Sequence, residues 1–125
     1  VVSDNTGFGT RAADVLICED GDPLEAIINY YFEEKPAATR QMGTQVERME
    51  RLLDLVKQYK ADGVVASRLY MCDLWAFEHF LMRKRLHENN VPFLELEVDY
   101  TPEGQGQIKT RVQAFVESLA DRQTA

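Results

Sequence analysis

Apolar residues recur at helical spacing in four stretches of the chain, and shorter apolar runs with strand character lie between them. Leu24, Ile27, Ile28 and Tyr31 fall at i, i+3, i+4 and i+7 and predict a helix with one buried stripe. Its start is marked by Asp22-Pro23-Leu24-Glu25, which supplies a capping side chain, a proline at the first helical position and a Glu three residues after the cap. Pro36 closes it. Thr44 and Glu47, in capping-box spacing, introduce a second helix that carries Val46, Met49, Leu52, Leu53, Val56 and Tyr59, with Lys57 and Lys60 at its C-terminal end. Asp62-Gly63 breaks the pattern, and Val64-Val65-Ala66 reads as a short buried strand. Asp73 is the expected cap of a third helix, whose Leu74, Phe77, Phe80, Leu81 and Met82 form a broad apolar face before Asn89-Asn90 stops it. Pro92 through Val98 is a strand in which Leu94, Leu96 and Val98 alternate with Glu95 and Glu97, so one face should be less buried. A last helix bears Ile108, Val112, Phe115, Val116 and Leu119.

The chain opens on an apolar pair, Val1-Val2, followed by Ser3-Asp4-Asn5, as the first strand of a domain would inside a longer protein. The order strand, helix, helix, strand, helix, strand, helix favours parallel strands joined by right-handed crossovers. The expected architecture is one α/β domain over residues 1–125, a Rossmann-like or flavodoxin-like three-layer α/β/α arrangement with a mostly parallel sheet. In such sheets ligands bind beyond the C-terminal ends of the strands. That criterion selects Ser3 to Arg11, Ser67 to Asp73 and Asp99 to Gly106.

Composition narrows the function classes. With 125 residues and 45% apolar content the chain can fill a single core. A formal charge of -7 repels nucleic acid and anionic membranes over most of the surface. No apolar run reaches the roughly 18 residues of a membrane span, and the N-terminal residues lack a secretory pattern, so a soluble protein is expected. Two cysteines are too few for a disulfide framework, which fits a reducing, cytoplasmic setting.

Cys72 lies just beyond the predicted central strand and just before a helix, where the positive end of the helix dipole suits a thiolate ligand; the competing reading is a partly buried, inert cysteine. Cys18 stands before Glu19-Asp20, where a thiolate is disfavoured, and reads as a buried structural residue. Two cysteines cannot by themselves hold a four-iron cluster. Gly7-x-Gly9 lacks the third glycine of a dinucleotide fingerprint and reads as a turn, while Asp4, Asn5, Thr6 and Arg11 could touch a ligand from the same loop. Arg83-Lys84-Arg85 is either a phosphate-binding spot or a solvated helix face. His79, between Phe77 and Phe80, reads as a packing residue, and neither it nor His87 has metal-ligand spacing. No nucleophile elbow is present.

Four blocks, in order, resemble the C-terminal part of the 2-hydroxyglutaryl-CoA dehydratase D-component and benzoyl-CoA reductase subunits: Lys60-Ala61-Asp62-Gly63-Val64-Val65, then Cys72-Asp73, then Glu97-Val98-Asp99-Tyr100, then the run from Gln107 to Glu117. Val1 to Asn5, Gly9-Thr10-Arg11 and Asp22 to Ala26 are similar to the family more loosely. The resemblance implies the C-terminal domain of a larger iron–sulfur subunit, with a 4Fe-4S cluster between two related α/β domains and Cys72 as one ligand. It implies a 2-hydroxyacyl-CoA dehydratase, a lyase of anaerobic metabolism, or an aromatic CoA-thioester reductase. The implied partners are a homologous second subunit, an ATP-dependent activator protein and the CoA-thioester substrate. The sequence departs from the family where Ala37 stands in place of an expected cysteine and Asn5 in place of a second acid. The first departure leaves open a cluster-free member that serves as a structural or thioester-binding subunit. An unrelated flavodoxin-like domain for a nucleotide or flavin is a third reading.

Overall fold

The computed structural model describes residues 1–7, 9–12, 15–35, 43–101 and 104–124. The chain divides into two compact units, Val1–Leu52 and Leu53–Ala125.

In the first unit Val1 and Val2 do not form the expected strand, and both are exposed. A two-residue apolar run without a paired neighbour satisfies neither its backbone groups nor its side chains. Helix α1 (Pro23–Asn29) starts as the sequence predicts: the Asp22 carboxylate accepts from the backbone N–H of Leu24 at 2.7 Å and of Glu25 at 3.3 Å. The helix then widens into a π turn, Tyr30–Glu34, closed by the Lys35 N–H donating to the Tyr30 carbonyl at 2.7 Å. The wide turn brings Tyr30 inward, and Leu24, Ile27, Ile28 and Tyr31, the stripe expected to be buried, are exposed. The helix ends at Glu34, and Pro36 lies outside the described residues.

Helix α2 (Gln45–Gln58) follows Thr44 and buries Met49 and Leu53, while Val46 is exposed. It ends in a Schellman motif. Lys60 takes a φ of 49°, and the Lys60 and Ala61 N–H groups donate to the Lys57 and Val56 carbonyls at 3.2 and 2.9 Å.

The second unit is built on a β-α-β-α run. Strand β1 (Val64–Leu69) pairs in parallel with β2 (Phe93–Val98), from Val64 opposite Phe93 to Leu69 opposite Val98. Between them runs α3 (Asp73–Glu88), and α4 (Gln105–Thr124) follows. Among the described residues the sheet has these two strands, so the architecture is α/β with a small parallel sheet and four α-helices. Strand β1 is not buried throughout: half-buried Val64, Ala66 and Arg68 alternate with exposed Val65, Ser67 and Leu69.

Helix α3 keeps only part of the expected face inward: Met82 is buried and Leu81 half-buried as expected. Trp75, His79, Met82 and Leu86 turn to the sheet, Leu86 with no exposed surface and His79 with 1%, whereas Leu74, Phe77 and Phe80 are exposed. His79 packs edge-on between Trp75 and Phe93, at 5.8 and 6.2 Å between ring centroids, and not with Phe77 and Phe80. The helix ends at Asn89 and Asn90 as expected. Asn90 takes a φ of 57°, and the Val91 N–H reaches the Leu86 carbonyl at 2.9 Å in a second Schellman motif. On α4 the stripe Ile108, Val112, Phe115 and Leu119 is half-buried, but Val116 is exposed. A Cβ on Gly63 would stand 2.8 Å from Phe115 Cζ and 3.2 Å from Leu119 Cδ2, so α4 lies tight against the entry to β1.

The burial of Leu86 and the exposure of Phe77 have a measurable consequence. In urea unfolding, Leu86→Ala is expected to cost about 2–5 kcal/mol, the range for removing a fully buried leucine side chain, while Phe77→Ala costs roughly 0.5 kcal/mol or less in dilute solution. Equal losses for the two variants would contradict this packing.

Candidate functional site

Parallel strands share one C-terminal end, and the chemistry-bearing groups of the second unit gather there. Beyond β1 the chain makes a tight turn through Tyr70 and Met71. The Tyr70 N–H donates to the Val98 carbonyl at 2.8 Å, Met71 takes a φ of 59°, and the Cys72 N–H returns to the Leu69 carbonyl at 3.1 Å. This turn makes Cys72, not Asp73, the N-cap of α3, and Asp73 becomes its first helical residue. The Cys72 carbonyl accepts from the Ala76 N–H at 2.9 Å, while its side chain makes no capping hydrogen bond. The thiol is free and half-buried at the strand end, not sealed in the core.

Below this turn lies a charged cluster. Arg68 Nε donates to Glu95 Oε1 at 3.1 Å, and its other nitrogens reach the Glu97 carboxylate at 3.1 and 3.2 Å. Arg83 of α3 pairs with Glu95 Oε2, and His79 Nδ1 stands 3.4 Å from Glu95 Oε1, an electrostatic contact short of a full hydrogen bond. The Glu95 backbone carbonyl accepts from Arg111 of α4 at 2.8 Å. Partial burial raises the Glu95 carboxyl, but the Arg68 hydrogen bond, the contact with His79 and the Arg83 charge outweigh it, and the group sits below its ordinary value of 4.5. The hydrogen bond from Arg68 to Glu95 leads the effects that raise the Arg68 guanidinium, against partial desolvation, and the charges of Glu97, Glu95 and Cys72 add to it.

Beyond β2 an open cleft of about 520 Å³ is lined by Glu97, Asp99, Tyr100, Thr101, Gln105 and Arg111, among others. That volume falls in the range of small-molecule sites. Its lining offers two carboxylates, one guanidinium and several neutral donors. Glu97 is common to the cleft wall and the Arg68 cluster.

The other candidate residues behave differently. In the first unit Asp4 is engaged by its own loop: Oδ1 accepts from the Thr6 N–H at 3.0 Å, the Thr6 hydroxyl at 2.8 Å and the Thr10 N–H at 3.1 Å, and Oδ2 from the Thr10 hydroxyl at 2.8 Å. Led by the Thr6 amide, these bonds hold its carboxyl far below the usual carboxylate range. A Cβ on Gly9 would stand 2.0 Å from Asp4 Oδ1, so only glycine lets the loop close. Asn5 is exposed and Arg11 half-buried in this loop, which follows no strand among the described residues. Cys18 is exposed, contrary to the expected burial, because the residues around it are themselves uncovered, and its Sγ lies 3.6 Å from the Asp20 carbonyl. Of the basic run, Arg83 is spent on Glu95 and Arg85 on Glu88 at 3.5 Å. Ala37 lies outside the described residues. Among the described residues no three His, Cys, Asp or Glu side chains form a metal-binding group. A cluster held by Cys72 would therefore draw its other ligands from elsewhere. No helix among those residues is long and apolar enough to cross a membrane.

Sequence reasoning missed Arg68, Glu95 and Arg111 as members of the site. The signal was charge inside strands that should be apolar: parallel strands are usually covered on both faces, so Arg68 and Glu95 require partners.

Because the folded state holds Glu95 below its ordinary value, the unfolded chain takes up that proton first as pH falls. The stabilisation is full above about pH 4.5 and is lost below it. Glu95→Gln is expected to cost roughly 1–3 kcal/mol at pH 7, and much less near pH 3. Urea midpoints of both proteins across that range check this, and a difference independent of pH would contradict it.

The profile of the family described as 2-hydroxyglutaryl-CoA dehydratase, D-component, matches residues 1–119. The Escherichia coli (strain K12) protein YjiM, described as a dehydratase subunit, is 30% identical over 112 residues, 89% of this chain and 28% of that protein. The (R)-phenyllactyl-CoA dehydratase beta subunit of Clostridium sporogenes is 24% identical over 123 residues, 95% of this chain and 31% of its own length. The lactoyl-CoA dehydratase subunit beta of Anaerotignum propionicum is 28% identical over 120 residues, 95% and 32%. The chain spans less than a third of the length of each of these relatives.

Proposed function

Since the chain belongs to the 2-hydroxyglutaryl-CoA dehydratase D-component family, we propose that it is part of a subunit that removes water from a 2-hydroxyacyl-CoA thioester, with Cys72 as one ligand of a 4Fe-4S cluster. The observation that carries the cluster assignment is the place of Cys72: its side chain is uncommitted, at the end of a parallel strand and the start of a helix. When bound, an iron–sulfur cluster supplies single electrons at a potential set by its charge and hydrogen bonding. The chain's own contribution is to hold one thiolate at a fixed point. The Met71 turn aims Cys72, and Arg68, locked by Glu95 and Glu97, keeps a positive charge near it.

The relatives' names share a CoA thioester of a 2-hydroxy acid, which favours dehydration over aromatic reduction. In the complete subunit the two parallel strands would belong to a larger Rossmann-like, three-layer sheet, and the remaining ligands would come from a second domain. A second homologous subunit and an ATP-dependent activator that delivers the electron complete the proposed assembly, in the cytoplasm. The cluster-free alternative draws on the lack of a multi-ligand group among the described residues.

The complete subunit, purified without oxygen together with its partner, is expected to contain iron and acid-labile sulfide and to absorb visible light. Cys72→Ser should lower its iron content and dehydration rate together, by roughly tenfold or more. An iron-free wild-type preparation, or a Cys72→Ser protein with unchanged iron and activity, would overturn the assignment.

A further inference from the structure

The cleft beyond β2 holds charges that the fold leaves unmatched. Its Glu97 is neutralised by Arg68 at 3.1 Å, but Asp99 and Arg111 in the same lining form no ion pair among the described residues. Asp99 Oδ1 accepts from the Tyr100 N–H at 2.6 Å, which leaves Oδ2 without a partner among those residues. Arg111 is anchored by one nitrogen on the Glu95 carbonyl at 2.8 Å. That neutral partner orients the guanidinium without cancelling its charge, and the remaining N–H donors stay available. Tyr100, 87% exposed, adds an aromatic ring to the lining. Between the lining residues Gln105 and Gln107, Gly106 has no left-handed φ, and a Cβ there would meet no atom within 4 Å. Neither backbone nor packing requires that glycine, which weakens a helix; its effect is a bare first turn of α4 beside the cleft.

A ligand that satisfies this lining carries an anion for Arg111, a hydroxyl donor for Asp99 and a flat ring for Tyr100. A bare anion meets only the first need, and an uncharged sugar leaves the guanidinium unmatched. On a chain with a net charge of -7, a bound anion requires such a local cation. About 520 Å³ has room for all three parts. We infer that a phosphorylated nucleoside binds in this cleft, with its phosphate on Arg111, a ribose hydroxyl donating to Asp99 and its base stacked on Tyr100. Two sources carry that chemistry, a free nucleotide and the nucleotide end of a CoA thioester. The second draws on the proposed function, and the first is independent of it.

Titration of the complete subunit with ADP, with CoA and with phosphopantetheine, the part of CoA that lacks the nucleoside, tests this, with folding of each variant followed by its urea midpoint. ADP and CoA should compete for one site from which phosphopantetheine displaces neither, and the tighter of the two names the source. Arg111→Gln and Tyr100→Ala should each weaken ADP by about tenfold, and Arg111→Lys, which keeps the charge, by less. Dideoxy-ADP, without the ribose hydroxyls, should bind the wild type roughly fivefold more weakly than ADP and bind Asp99→Ala no worse than ADP does. Cys72→Ser should leave ADP binding unchanged, so that loss of the cluster and loss of this site are read separately. Failure of both ADP and CoA to bind overturns the inference. So does binding that Tyr100→Ala and Arg111→Lys leave untouched, or a penalty for dideoxy-ADP that persists in Asp99→Ala.

Discussion

The second unit is organised around one carboxylate. Glu95 stands on the face of β2 that α3 covers, where an unpaired charge would be costly, and it is compensated from two directions. Arg68 reaches it from the neighbouring strand, and Arg83 with His79 from the helix above. Its backbone carbonyl meanwhile holds Arg111 of α4. Side chains from β1, α3 and α4 thus meet at a single residue of β2. This requirement explains why α3 is oriented as it is: the helix must present His79 and Arg83 to the sheet, and Trp75, Met82 and Leu86 come with them.

That constraint separates what can be read in the sequence from what cannot. The helix boundaries are legible because they rest on local chemistry: the Asp22-Pro23 start, the Asn89-Asn90 stop and the break at Asp62-Gly63 need no distant partner. Both strands are legible from their β-branched and alternating residues. The buried face of α3 is legible only in Met82 and half-buried Leu81. Apolar residues lie on both sides of that helix, so periodicity alone cannot choose between them. The choice is made by Glu95, which lies on a different element and calls for His79 and Arg83 as partners.

The first unit shows the same limit from the other side. The stripe on α1 has correct helical spacing, yet it is exposed, because spacing states which residues share a side and not whether anything covers it. The position of Cys72 is legible, since a residue between a strand and a helix must fall near the sheet's end. Its role as the cap residue is not, because that depends on Met71 adopting the left-handed conformation one step earlier. The cleft beyond β2 is foreshadowed by the Asp99 to Gly106 segment, but its link to Arg68 through Glu97 emerges only once the strands are in register.

The two Schellman turns, at Lys60 and Asn90, deliver the chain into β1 and β2 within a few residues of each helix end. Side chains alternate across a strand, so one added or deleted residue in either connection would invert the strand that follows it. A change at the Asn90 connection would take Glu95 off the side that α3 covers and set Leu94 toward the arginines, and one at the Lys60 connection would turn Arg68 away from Glu95. Length variation among relatives should therefore be rare at these two connections and concentrated at the opposite end of the sheet, where the segment beyond Asp99 can lengthen without disturbing the pairing.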